Sequence, residues 1–386
     1  MRALLSLQSG GPDTLSIREI EEPAPGPGQV AITVHACGVN YPDLLVIEDR
    51  YQMKPARPFS PGSELAGVVR AVGEGVEAPS VGQRVSASLP FGAMAEVVVV
   101  PSNRCTVIPD TMPFDQAAAF QVTYGTVYYA LVGRGQLRRG ETLLVLGAGG
   151  GIGLAAVELG KVLGARVVAA ASSQDKLDVA LAMGADAGVL YSRSLDAPAE
   201  GKAFTEAVRS ACGGEGPDVV IDPVGGVYAE PAFRSVARQA RYLVVGFAAG
   251  IPSIPLNLIL LKGAQIIGVF WGSYMARSPH CGSEDMKALL DLFADGRVNP
   301  LVSERFSLER GGEAIARLAT RSVHGKVVVE IEGSDNRMNC YNENTAGPGR
   351  AVRLVCGDAV SVCVASLSAL FSGRLTGRTA GPPGTE

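Results

Sequence analysis

Gly147-Ala148-Gly149-Gly150-Gly151-Ile152-Gly153 follows the apolar run Leu143-Leu144-Val145-Leu146 and opens a helical stretch from Ile152 to Leu163. A strand, a glycine turn and a helix in that order aim backbone N–H groups and the positive helix end at an anion; a Cβ in the turn would hold a pyrophosphate away. The spacing departs from G-x-G-x-x-G, because Ile152 takes the place of the third glycine, and Gly147, Gly150 and Gly153 instead recur every three residues. A tight turn alone would also use such a cluster. With a strand before it, a helix after it and further strand–helix units beyond, the loop reads as a dinucleotide site. The next strand's end selects the cofactor. About 20 residues on, NAD sites place a carboxylate for the ribose 2′-hydroxyl. Here Ala170-Ala171-Ser172-Ser173-Gln174 has none before Asp175, whereas Ser172 and Ser173 offer hydroxyls and Lys176 a charge for a 2′-phosphate. NADPH is the expected cofactor, and the same two serines would also suit a helix cap.

The elements that must hold this loop are legible in the second part of the chain. Val167 to Ala171, Val219-Val220-Ile221-Asp222, Tyr242 to Gly246 and Gln265 to Val269 are apolar strand runs, separated by helical stretches such as Lys176 to Met183. That alternation predicts right-handed crossovers and a parallel sheet covered on both faces. The first part is different. Gln29 to Ala36 alternates apolar and polar residues, and Leu65 to Val72 and Met94 to Val100 are short apolar runs between turn signals, which predicts a small barrel-like sheet. Helical spacing follows from Phe114 to Leu131, and Lys326 to Ile331 is a late strand expected to return to the first sheet.

Composition narrows the class. The chain has 386 residues, long enough for two domains, with 47% hydrophobic residues for a large core and 48 glycines for turns. A net charge of −4 with no basic stripe argues against a nucleic-acid partner. No signal peptide is visible, and the odd number of seven cysteines without a CxxC pair implies free thiols in a reducing cytoplasm. Three histidines are few for a metalloenzyme. Residues 332–386 are read as a disordered tail, and their apolar stretch from Leu354 to Phe371 is too interrupted for a membrane span.

Pro61-Gly62-Ser63-Glu64-Leu65-Ala66-Gly67-Val68-Val69, after Gly38-Val39-Asn40-Tyr41-Pro42-Asp43 and together with the glycine loop, resembles the medium-chain dehydrogenase/reductase superfamily. Zinc-dependent members carry a histidine at the place of Ser63 and a cysteine at that of Asn40, so the resemblance implies no metal here. Gly140 to Lys161 nearly matches the cofactor signature of the zinc-free NADPH:quinone oxidoreductase (zeta-crystallin-like) branch, departing at Glu158, which is expected on a helix surface. Val122 to Tyr129, Asp222 to Gly226 and Val269 to Gly272 are similar too, and the likeness spans about 1–331. It implies a GroES-like β-rich catalytic domain over 1–121, completed by 298–331, and a Rossmann doubly wound parallel-sheet domain over 122–297.

The resemblance also distributes roles. Tyr51, before Gln52-Met53-Lys54-Pro55, would donate a proton or wall the nicotinamide; Asn40 would bond substrate or ribose, or merely turn the chain; Asp43 would order the local backbone. Thr126 would touch the nicotinamide end or be structural, and Tyr191 would pack near the adenosine phosphate or face solvent. Gly246, Phe247, Phe270 and Trp271 follow strands, and backbone groups there would hold the carboxamide; Trp271 would roof the substrate pocket or be buried at the domain seam. Lys326 is similar to a family lysine near the phosphates, or is a solvated surface lysine. The implied activity is hydride transfer from NADPH to a quinone or an α,β-unsaturated carbonyl. A 2-enoyl thioester reductase is the enzymatic alternative and a non-catalytic NADPH-binding redox sensor the other. A homodimer, paired through the strand near Gln265 to Phe270, is expected by resemblance.

Overall fold

Uninterrupted Val, Leu and Ala runs form the middle of a six-stranded parallel sheet, in the spatial order Ala187–Leu190, Arg166–Ala171, Thr142–Leu146, Val219–Asp222, Arg241–Val244, Gln265–Gly268. The structure, a computed structural model, describes residues 1–331 apart from 193, 194 and 196, so the 332–386 tail lies outside the described residues. Helices cover both faces, which is why Leu143-Leu144-Val145-Leu146 is buried throughout and shows no period of two. Every neighbouring pair is parallel. The first strand of the sheet, Thr142–Leu146, lies in its middle, with Arg166–Ala171 on one side and Val219–Asp222 on the other. Chain connections diverge at that point, leaving a crevice beyond the strand ends, where ligands of open α/β sheets bind.

The other large sheet runs Val302–Ser307, Lys326–Glu330, Gln29–Val39, Glu64–Val72, Arg84–Ser88, Cys105–Val107, with Val97–Pro101 added along Gln29–Val39. The late strand thus joins the early ones, as its apolar pattern suggested. Val39 sits opposite Val327 and Gly38 opposite Glu64, both in antiparallel pairs. The end of Gln29–Val39 therefore lies beside the starts of the two neighbouring strands, and Asn40, Glu64 and Lys326 share one end of the sheet. Arg2–Ser6 and Leu15–Glu19 form a separate hairpin.

The helical spacing from Phe114 to Leu131 is broken rather than continuous. It becomes the helices Phe114–Ala118 and Gln121–Tyr128 and a wider π turn at Tyr129–Arg134. The first helix ends where the Ala118 carbonyl abuts Gly38, so closely that a Cβ on Gly38 would lie 2.1 Å from it. No helix of the described residues is long and apolar enough to cross a membrane.

Candidate active site

The glycine loop lines a cavity of about 440 Å³, whose other boundary includes Val39, Asn40, Tyr41 and Lys326 from the seven-stranded sheet and its edge. Gly147 has φ +61°, a left-handed conformation that glycine adopts without strain. A Cβ on Gly153 would lie 2.3 Å from the Gly147 carbonyl oxygen and 2.6 Å from the Ala148 Cα, so glycine alone allows the helix Gly151–Val162 to start this close to its strand. A Cβ on Gly149 would lie 2.6 Å from the Lys176 Cβ. Gly147, Gly149, Gly150, Gly151, Ile152 and Gly153 all reach the cavity, and no side chain caps the helix start. Such a cradle of bare backbone at a helix N-terminus fits a pyrophosphate.

Ser172, Lys176 and Tyr191 line the same cavity beyond the second strand. Ser173 does not; it stands at the N-cap of Gln174–Ala182 without a side-chain cap bond. Tyr191 is no solvent-facing residue: it is buried, 4.9 Å from the Tyr228 ring and 5.4 Å from that of Phe204, and burial pushes its phenol up. Arg321, from the far side of the cleft, completes this end. Its carbonyl accepts the Lys176 ammonium at 2.5 Å and its guanidinium donates to the Ala248 carbonyl at 2.7 Å. No local sequence signal marks Arg321, which lies 145 residues from Lys176.

Asn40 follows the strand Gln29–Val39 and caps the helix Tyr41–Ile47; its N–H donates to Asp43 Oδ2 at 2.7 Å, so Asp43 orders the backbone as expected. Burial raises the Asp43 carboxyl to about 7, against the Asn40 N–H and the Lys326 charge, which lower it. Tyr51 is half-buried outside the cavity lining, and burial followed by the Asp43 charge pushes its phenol up.

Several of the expected site residues lie outside the cavity lining. Thr126 is buried within Gln121–Tyr128, and Thr123, one turn earlier on that helix, lines the cavity instead. Gly246, Phe247, Phe270 and Trp271 stay outside the lining, where Ala248 and Ala249 take part. Phe247 and Phe270 are exposed, whereas Trp271 is buried so close to Gly125 that a Cβ there would lie 2.8 Å from the indole. Trp271 therefore belongs to the packing between helices. Lys326 is not a surface lysine: it lines the cavity beside the glycine loop, with its ammonium buried against Glu64. Glu158 is not a surface residue either. It is half-buried, accepting the Asn299 N–H at 2.9 Å and the Tyr124 hydroxyl, because its helix packs against Gln121–Tyr128.

The residues at the end of the seven-stranded sheet do not fit zinc. Asn40 and Ser63 are poor ligands, and the Lys326 ammonium occupies the Glu64 carboxylate at 2.8 Å. Cys37 is wholly buried, and burial pushes its thiol up. Among the described residues no three His, Cys, Asp or Glu side chains form a group able to hold a metal.

The alcohol dehydrogenase GroES-like domain model matches residues 26–110, and the zinc-binding dehydrogenase model matches 151–295. Quinone oxidoreductase-like protein 2 of Bos taurus is 37% identical over 318 residues, covering 81% of this chain and 89% of its own. Quinone oxidoreductase of Pseudomonas syringae superposes with a TM-score of 0.78 at 30% identity, over 85% of this chain and 99% of that one. Escherichia coli quinone oxidoreductase, solved in complex with NADPH, gives a TM-score of 0.78 at 25% identity, over 86% of this chain and 100% of the other.

Proposed function

The chain belongs to the quinone oxidoreductase branch of the medium-chain dehydrogenase/reductase family, and on that footing we propose that it is a zinc-independent, NADPH-dependent reductase of quinones or α,β-unsaturated carbonyls. The observation that carries this reading is the single cavity wall shared by the glycine cradle and Asn40, with Ser172, Lys176 and Arg321 at its far end. Bound in the cradle, NADPH supplies a hydride. The protein's part is to bind, orient and exclude water. Gly147 to Gly153 offer backbone N–H groups to the pyrophosphate; Ser172, Lys176 and Arg321 offer hydrogen bonds and positive charge to a 2′-phosphate, and among the described residues no carboxylate lines that end. The likeness to a structure complexed with NADPH supports the same choice. With no zinc to polarise the acceptor, hydrogen-bond donors must do so, and Asn40 is the amide at the wall. The proton that completes reduction comes from solvent or from Tyr51. Two copies are proposed to associate through the strand Gln265–Gly268.

The test is NADPH oxidation measured across quinones, enals and enoyl thioesters with the purified chain. Turnover with quinones or enones, and a clear preference for NADPH over NADH, is the expected outcome. Crotonyl thioester turning over faster than any quinone would make the chain an enoyl thioester reductase. Tight NADPH binding with no turnover would overturn the enzymatic reading in favour of a sensor. Unchanged turnover in Tyr51→Phe assigns the proton to solvent.

A further inference from the structure

Lys326 Nζ donates to Asn40 Oδ1 at 2.6 Å, to Glu64 Oε1 at 2.8 Å and to the Val39 carbonyl at 3.0 Å. An ammonium has three hydrogens, and these three bonds commit them all. The other Glu64 oxygen accepts the Val122 N–H at 3.0 Å. The side chains of Lys326 and Glu64 are only 7% and 1% exposed. Desolvating such a pair costs about as much as its attraction returns, so stability is a poor reason for its presence.

Its effect falls on Asn40. An ammonium can only donate and a carboxylate can only accept. The amide atom at 2.6 Å from Lys326 is therefore oxygen, and the one at 2.8 Å from Glu64 is nitrogen. The two charges dictate an orientation that an isolated amide would leave open. One amide hydrogen goes to Glu64. The other meets only Ser63 Oγ at 3.3 Å and the Gly38 carbonyl at 3.5 Å, both long for an N–H donor. Gly38 is itself needed here, since a Cβ on it would lie 2.7 Å from Glu64 Oε1.

We propose that Lys326 and Glu64 are positioning residues that lock the Asn40 amide so that its loosely held N–H is offered to the oxygen of the acceptor. The proposal rests on the reductase reading above and deepens it. Hydride transfer oxidises the cofactor and reduces the acceptor; its electron pair ends as negative charge on the acceptor oxygen, which the amide N–H stabilises until a solvent or phenol proton neutralises it. A donor fixed beforehand needs no reorganisation as that charge develops. The lysine stem meanwhile packs on the cofactor loop, its Cδ 2.8 Å from where a Cβ on Gly151 would be.

The test uses the full chain with two variants. Lys326→Met combined with Glu64→Gln removes both charges and frees the amide to flip, and Asn40→Ala removes the donor. NADPH affinity is read by quenching of Trp271, the one tryptophan, and turnover is read with an enone and with a strongly oxidising benzoquinone. Enone kcat is expected to fall about 100-fold with NADPH Kd held to within about twofold, and quinone turnover much less, since a quinone needs less polarisation. Combining all three substitutions should add no further loss. Equal losses for both acceptors, or unchanged enone turnover, would overturn the proposal. So would a raised NADPH Kd with kcat intact, which would make Lys326 a phosphate ligand. If circular dichroism shows the charge-free variant unfolded, Asn40→Ala supplies the same comparison of acceptors. A parent chain that oxidises NADPH with neither the enone nor the quinone would overturn the reductase reading itself, and this inference with it.

Discussion

Asp43 sits 4% exposed at the start of Tyr41–Ile47, where its carboxylate holds the Asn40 N–H. Burial nevertheless dominates, moving its carboxyl from the ordinary 3.8 to about 7. A carboxyl raised on folding makes the native state bind the extra proton. Its contribution to stability is complete below about pH 4, is lost as pH rises towards 7, and is flat above that. The difference amounts to about 4 kcal/mol at most. Asp43→Asn keeps an acceptor for Asn40 but cannot titrate. Urea midpoints measured from pH 4.5 to 8 should show the parent losing stability relative to the variant across that range; parallel curves would contradict the burial argument. At this scale the sequence was readable where chemistry is local. Ser172, Lys176 and Asn40 stand beside the strand ends that aim them, and all three line the cavity. Glu64 and Arg321 were not readable as site residues, because their partners lie 262 and 145 residues away and only sheet register and lobe packing bring them together. Lys326 was readable as a cavity residue, but its bonds to Glu64 and Asn40 were not, because sheet register alone brings them together.

Elements were most legible where burial is two-sided. Val219–Asp222 has the bounds its apolar run suggested, and Thr142–Leu146 begins one residue earlier, since a strand covered on both faces tolerates little polarity. The helix after Phe114 was less legible. Its apolar spacing runs on through Ala119 and Phe120, and the break falls where the Ala118 carbonyl abuts Gly38 in another element. The strand–loop–helix unit also makes a sharp prediction about glycine. Gly153→Ala puts a methyl 2.3 Å from a carbonyl oxygen of the loop, and backbone cannot swing aside as a side chain can. The helix must slide off its strand, costing about 1–3 kcal/mol and weakening NADPH binding at least tenfold. Gly272→Ala is the matched control: it lies within the helix Trp271–Arg277, with the nearest atom at 3.6 Å. Alanine there should leave stability unchanged or raise it by up to about 1 kcal/mol. Thermal melts of the two variants, with NADPH titration of the first, check this. Equal behaviour would show that the loop has room for a Cβ.

Among the described residues the parallel sheet ends at Gln265–Gly268, which pairs there with Arg241–Val244 on one side only. An open edge strand is a template for another chain, and monomers protect such edges with charge, proline or cover. This edge has none of the usual blunting within its four residues, Gln265-Ile266-Ile267-Gly268. Beside it in sequence, the helix Leu256–Lys262 exposes Leu256 at 77%, Leu260 at 82% and Leu261 at 67%, and Ile251 before it is 84% exposed. Apolar side chains that open, next to an unpaired strand, are costly in water and are explained if a second copy covers them. Pairing two edges antiparallel about a two-fold axis would join two six-stranded sheets into one and use the same surface on both copies. Light scattering should then give a mass near twice the 39.9 kDa of one chain. Leu260→Asp with Ile266→Asp places two charges on each face of that contact and should return the particle to the mass of one chain, with its fold retained by circular dichroism. A parent chain that is monomeric at micromolar concentration would overturn the dimer and leave the exposed leucines to another partner. A dimer that survives both aspartates would move its interface elsewhere on the molecule.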